Sequence, residues 1–280
     1  MIENQAKVEG AVVYWTARQT DLIKLRAAWD KLDQTAGRPG TYTRMLPTKR
    51  EGVQLLRDAL IAEFPRNGNP RLVRRLTGSS ALAVVTEHRG NDTNSYDVIQ
   101  TAKLERTGTI TTEPLNPAVD LRYLQLADTL PGSKVGNVLI KAVRKLDGTT
   151  LRSTGGIYWI PPDGLETFRL LAEAVEGAGG STIYVMSTQF DDKTAEAVKD
   201  GLAAEVKATA DWIIAQLSEG NLGTKAIEGR RARAVKLLNK TRRYEAILGT
   251  VLTEVRATID EIEVAAAAAE LVVQAEGMTA

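Results

Sequence analysis

Between Thr224 and Gln274 the chain contains no proline, and its apolar residues alternate in steps of three and four. From Ala234 the seam passes through Leu238, Leu248, Leu252, Val255, Ile259, Ile262, Ala266, Ala269 and Val273, with Thr241 and Glu245 as its polar members. That spacing predicts a helix with a narrow apolar seam, the pattern of a coiled coil. An upstream segment, Asp191–Leu217, carries Val198, Leu202, Val206, Ile213 and Leu217 at helical spacing. Each seam needs a partner, and the turn-prone Glu219–Gly223 between them predicts an antiparallel helical hairpin. At 1.5 Å per residue the arms measure roughly 40 and 75 Å. The distal half of the second arm must therefore pack on the rest of the protein or on another chain.

Charge along the second arm is sorted by sign. Lys225, Arg230, Arg231, Arg233, Lys236, Lys240, Arg242 and Arg243, opposed only by Glu228, precede Glu245, Glu254, Asp260, Glu261, Glu263, Glu270 and Glu276, opposed only by Arg256. In one continuous helix this order opposes the macrodipole, which favours acids at the N-terminus by about 0.3–1 kcal/mol each. Helix stability alone does not explain it, so the order points to a partner. At 100° per residue, Lys225, Arg233, Lys236, Lys240 and Arg243 fall within an arc of about 80°, and Arg230 flanks the seam. These six cations are the candidate binding residues. They suit an acidic protein surface, the acidic half of a second copy, or a phosphate backbone. A solvated outer face of a coiled coil carries the same residue types.

Ahead of these arms, the chain alternates between helix and strand signals. Ala11–Ala17 reads as a buried strand, and Asp21–Thr35 as a helix with Leu22, Leu25, Trp29 and Leu32 inward. Thr48 and Glu51 form a capping box before a second helix with Val53, Leu56, Leu60 and Phe64 inward. Leu72–Leu76, Ala81–Glu87, Tyr96–Leu104 and Gly108–Thr112 read as a meander, with a hairpin turn at Gly90–Asp92. Helices are predicted at Ala118–Leu130 and Lys134–Leu146, the latter capped by Ser133. Strands follow near Thr150–Thr154 and Ile157–Ile160, then a helix at Asp163–Glu176 and a strand at Thr182–Ser187. The fold class is α+β: a mixed, mainly antiparallel sheet with packed helices, then a long C-terminal antiparallel helical hairpin. The expected division is residues 1–188 as the α+β body and 189–280 as the hairpin.

Composition excludes several chemistries. There is no cysteine, which removes disulfides, thiolate metal sites and cysteine nucleophiles. The lone histidine, His88, stands at a strand end without a nucleophile motif around it. No phosphate-loop or dinucleotide fingerprint occurs; Gly177–Gly180 follows a helix, the reverse of the required order. No metal site and no cofactor is expected. The net charge of +1 offers no global attraction to nucleic acid or membrane. With no signal-peptide pattern and no apolar run near 20 residues, no membrane association is expected and the location is taken as cytoplasmic.

Leu151–Pro161 (LRSTGGIYWIP) is the most distinctive local string, and Tyr158 and Trp159 within it must face opposite sides of a strand. Its Arg-x-x-Gly-Gly-x-Tyr-x-x-Pro core, Arg152–Pro161, resembles a segment of uncharacterised proteins encoded by phages, plasmids and other mobile elements. The resemblance implies such a context, with an α+β body followed by long helices, and implies no activity. Taken together, the sequence points to a non-enzymatic binding or scaffolding protein working through the hairpin, with a protein partner or self-association. The alternative is a nucleic-acid-binding accessory protein using the stripe Lys225–Arg243; the third is an enzyme of unrecognised type.

Overall fold

Two compact units share the chain, and neither is continuous in sequence: residues 1–15, 139–172 and 183–280 form one, and residues 16–138 and 173–182 the other. The computed structural model describes residues 10–47, 52–64, 71–76, 81–89, 94–152, 156–188, 191–219 and 222–279. In chain order these hold β1 (Gly10–Thr16), β2 (Thr20–Asp21), α1 (Leu22–Thr35), a 3-10 turn (Thr43–Met45) and α2 (Val53–Glu63). Next come β3 (Arg71–Arg75), β4 (Ala81–Arg89), β5 (Asn94–Leu104), β6 (Ile110–Glu113), α3 (Pro117–Ala127), β7 (Thr129–Leu130) and α4 (Gly132–Lys145). The chain continues with β8 (Thr149–Thr150), β9 (Tyr158–Ile160), α5 (Pro162–Gly177) and β10 (Thr182–Thr188), and closes with α6 (Asp192–Ser218), α7 (Thr224–Leu248) and α8 (Thr253–Thr279).

In the unit built on residues 16–138, the meander is antiparallel in the order β3-β4-β5-β6. A bulge shifts the register from Val84↔Gln100 to Val85↔Val98. Leu56 and Leu60 of α2 and Val119 of α3 bury Leu82, Val84 and Ala102 of the sheet. α1 starts where Asp21 accepts from the Lys24 N–H at 2.9 Å, and it buries Leu22, Leu25 and Trp29. Asp33 near its end is wholly buried. Its carboxylate accepts from the Tyr42 and Thr43 N–H groups and the Thr43 hydroxyl at 2.9–3.1 Å. It is a structural carboxylate that organises the turn after the helix. β2 and β7 pair at Thr20↔Leu130, too short a strand pair to leave a sequence signal. Ser133 lies inside α4 rather than capping it. The capping box at Thr48 and Glu51 and the turn at Gly90–Asp92 lie outside the described residues.

The other unit has a sheet in the order β10-β1-β9-β8. β1 runs antiparallel to β9 with Val12 opposite Trp159 and Val13 opposite Tyr158. Strand alternation separates the two aromatics as expected. Trp159 is fully buried in the core of the C-terminal helices, while Tyr158 stacks on Trp15 with centroids 5.0 Å apart. A Cβ at Gly10 would overlap the Trp159 indole, so the strand must be bare there. A Cβ at Gly201 would overlap the Thr150 carbonyl; this glycine lets α6 approach the backbone at β8.

The C-terminal helices pack together as antiparallel hairpins, but the second arm is not one rod. Gly249 adopts φ 65° and ψ 20° and ends α7, a left-handed conformation that glycine adopts without steric cost. Thr250, Val251 and Thr253 follow it, β-branched residues that favour helix less than straight-chain ones. α8 folds back along α7, and the overhang expected for a 75 Å arm disappears. Val198, Leu202, Val206, Ile213 and Leu217 face inward as expected, as do Ile227, Ala234, Val255, Ile259, Ile262 and Ala266. Leu238 is only partly buried, and Leu237 and Tyr244 take the interior places. The compact units do not follow the expected division at 188/189. Trp159, Val12 and Leu151 share one core with the helices, so β1 and β8–β10 belong with them rather than with the body.

Candidate interaction surface of the C-terminal helices

The six candidate cations separate into structural and free groups. Lys240 is 8% exposed. Its ammonium donates to both Glu205 carboxylate oxygens at 2.8 Å and to the Gly148 carbonyl at 2.9 Å. Thr149 Oγ1 donates to the same carboxylate at 3.0 Å. Arg243 is ion-paired with both Asp147 and Asp163. Burial lowers its guanidinium pKa, but the hydrogen bonds and charges of Asp163 and Asp147 outweigh that and raise it. Tyr244 Oη donates to the Asp147 carbonyl at 2.7 Å. Burial, with the nearby Glu205 and Asp147 charges, pushes its phenol far above the usual tyrosine range. Asp147 has φ 57°. Residues 240, 243 and 244, three and four apart on α7, therefore clamp the strained turn between α4 and β8. Lys240 and Arg243 leave the candidate partner-binding set, because their charges are used inside the fold.

The sign-sorted order has an explanation within the chain. Gly249 reverses the chain so that the acidic segment lies against the basic one. Arg231 Nε sits 3.3 Å from Glu263, and its Nη1 bonds Glu270. Glu245 accepts from the Leu252 N–H and from Arg256 Nε, each at 2.8 Å, across the reversal. The Arg256 hydrogen bond, with the Leu252 N–H, holds the Glu245 carboxyl below the usual range. Glu254 now lies in the first turn of α8, where the dipole favours an acid.

Arg230 and Arg233 both stand over the indole of Trp212, with guanidinium carbons 5.9 and 4.7 Å from its centroid. Arg230 also donates to Gln216 Oε1 at 2.6 Å. Lys225, Arg233, Lys236 and Arg242 are exposed and form no ion pair among the described residues. Asp260 and Glu261 on α8 are likewise exposed and form none.

Between these free charges lie two apolar stripes that the sequence pattern holds but the single-seam reading passes over. On α8, Ala257, Val264 and Leu271 recur at intervals of seven and are all exposed. On α7, Ala232, Val235 and Ala246 share an exposed face that also holds Asn239, and Arg242 stands at its edge. The pairs Arg231–Glu263, Arg231–Glu270 and Arg256–Glu245 hold α7 and α8 antiparallel, and Val235 on α7 and Val264 on α8 are both exposed. Each is more than half exposed. Beside them a shallow apolar groove of about 220 Å³ runs between Leu217 and Leu222 on one side and Ala268 and Val272 on the other.

Residues 65–277 match DUF6744, a family of unknown function. The chain belongs to this family. The DUF6744 match runs from the segment before β3 through α8, and so takes in the meander and all three C-terminal helices. No curated protein and no solved structure matches the chain. Among the described residues of this DUF6744 member, no group of three His, Cys, Asp or Glu is placed to hold a metal ion. No described helix is long and apolar enough to cross a membrane. His88 pairs with Ser95 in the β4–β5 ladder.

Proposed function

We propose that this protein is a non-enzymatic binding or scaffolding protein that associates with a second copy of itself through the outer faces of α7 and α8. The observation that carries this is the exposed heptad stripe Ala257–Val264–Leu271, on the side of α8 away from its own core. A helix with an apolar seam on each side is suited to packing two neighbours. Free acids, Asp260 and Glu261, border one stripe, and free cations, Lys236 and Arg242, border the other. A two-fold arrangement satisfies both copies at once.

Size-exclusion chromatography with light scattering at about 0.05 M and 0.5 M salt tests this, since exposed charges are screened over about 10 Å at 0.1 M. We expect a dimer at low salt that weakens as salt rises. Replacing both Val264 and Leu271 with glutamate should give a monomer with an unchanged thermal melt, because both side chains are exposed. A wild-type monomer at both salt concentrations would refute self-association.

Trp212, with Arg233 stacked on it and Lys225 and Lys236 nearby on α7, supports a second reading as a nucleic-acid-binding accessory protein. An aromatic face with unpaired cations is a common base-and-phosphate platform. Replacing Lys225, Arg233 and Lys236 with glutamine should then weaken binding of a single-stranded oligonucleotide. It should also flatten the log–log salt slope by roughly 0.7 per lost contact.

A further inference from the structure

We infer that the outer face of α3, together with Leu115, is a second docking surface, one that receives a basic amphipathic helix of a partner protein. Leu115 is 85% exposed in the link between β6 and α3, yet the backbone on both sides of it is fixed. Gln100, almost wholly buried, donates to the Pro114 carbonyl at 2.6 Å and accepts from Asn116 Nδ2 at 3.3 Å. The Asn116 N–H donates to Thr112 Oγ1 at 2.8 Å. Asn116 Oδ1 in turn caps α3 by accepting from the Ala118 N–H at 3.2 Å. The buried amide, which also donates to the Thr101 carbonyl at 3.1 Å, thus fixes the backbone on both sides of the exposed leucine. Preorganisation of this kind lowers the entropic cost of association.

The helix that follows continues the surface. At 100° per residue Pro117, Leu121, Leu124 and Asp128 share an arc of about 60°, and all four are exposed. Leu121 and Leu124 are each more than half exposed, while Val119 and Tyr123 supply the opposite, core-facing side. Three apolar anchors on a short, rigid segment exceed the scattered single exposures of ordinary surfaces.

The rim specifies the sign of the partner. Asp120 and Asp128 lie on the same face as the leucines, with Glu113 ahead of them, and all three are exposed and form no ion pair among the described residues. The cation on this helix, Arg122, is already engaged by Glu63 at 4.0 Å and Gln125 at 3.1 Å. Asp128 occupies the C-cap of α3, where the helix dipole disfavours a carboxylate. An incoming lysine or arginine relieves that repulsion, and leucines spaced on an approaching helix cover the three anchors.

Fluorescence anisotropy of a labelled synthetic helix of leucine and lysine, with leucines three and four apart, tests this on the full chain. We expect binding that weakens with salt. Substituting Leu115→Ser and Leu121→Ser together should weaken it at least tenfold without changing the melt, because both side chains are exposed. Asp120→Asn with Asp128→Asn should weaken it several-fold and reduce its salt dependence. Val264→Glu with Leu271→Glu on α8 should leave it unchanged. Wild-type affinity in the leucine variant, a loss confined to the α8 variant, equal binding of a leucine–glutamate helix, or Leu115-dependent binding to anionic lipid vesicles would each overturn the proposal.

Discussion

Replacing Lys240 with methionine separates a cation that holds the fold from one that waits for a partner. Methionine matches the length of the lysine stem but removes the ammonium. The change deletes the contacts to Glu205 and to the Gly148 carbonyl, all within 2.9 Å. It leaves a carboxylate that only Thr149 still serves. Hydrogen bonds to charged groups contribute roughly 1.5–3 kcal/mol each, and breaking a fully buried pair costs about 3–5 kcal/mol. The Glu205 side chain retains 29% exposure, so water recovers part of its solvation and about 2–4 kcal/mol is the expected loss. For a unit of this size that corresponds to a thermal shift of roughly 5–15 °C. The assay is helical circular dichroism against temperature and urea, which follows α6, α7 and α8. Pairing the change with Glu205→Leu should recover most of the loss, since well-packed apolar replacements of buried ion pairs are often neutral. The resulting double-mutant cycle should give a coupling of at least about 1.5 kcal/mol. A Lys240→Met variant within about 0.5 kcal/mol of wild type would refute the clamp. Lys240 would then return to the solvent-facing stripe.

Two further outcomes follow from the same geometry. Gly201→Ala should destabilise the protein by about 1–3 kcal/mol in urea titration, although alanine is the better helix former by roughly 1 kcal/mol, because the new Cβ meets the Thr150 carbonyl; a stabilised variant would show that α6 stands off β8. The Glu245 pKa is lowered in the folded state, first by Arg256 and then by the Leu252 N–H. Its contribution is therefore complete above the unfolded value of about 4.3 and is lost as pH falls through the folded one. Glu245→Gln should lower the urea midpoint at neutral pH and flatten its decline in acid, and parallel pH curves for the two proteins would contradict this.

Much of the architecture was legible in the residues. Strand-like runs between turn-forming residues identified the four meander strands, and Trp159 and Tyr158 were placed on opposite faces because a strand side chain has only two directions to point. The stripe Leu22–Leu25–Trp29 gave α1 nearly to the residue, while the cap at Asp21 emerged only from the structure. The inward face of α6 was correct at each named position. Such features depend on neighbours a few residues apart. The candidate site was legible only in part. Residue type and spacing grouped Lys225, Arg230, Arg233, Lys236, Lys240 and Arg243, but spacing records an angle around a helix and not what stands at that angle. Glu205, Gly148, Asp147 and Asp163 are 35 to 96 residues away from the cations they engage.

The sequence by itself determined that the C-terminal segment is helical, apolar on a 3-4 repeat and basic before acidic, since propensity, periodicity and charge are local properties. Only the tertiary structure decided that the segment reverses at Gly249. A lone glycine in a helical run is tolerated or terminal according to whether the reversed chain finds a surface to bury. Here α8 finds the seam of α6 and α7, and its Glu263 and Glu270 meet Arg231. That closure turned a charge order that opposes the dipole of a single helix into complementarity between two, and it sent Lys240 inward while leaving Lys225 and Lys236 in solvent.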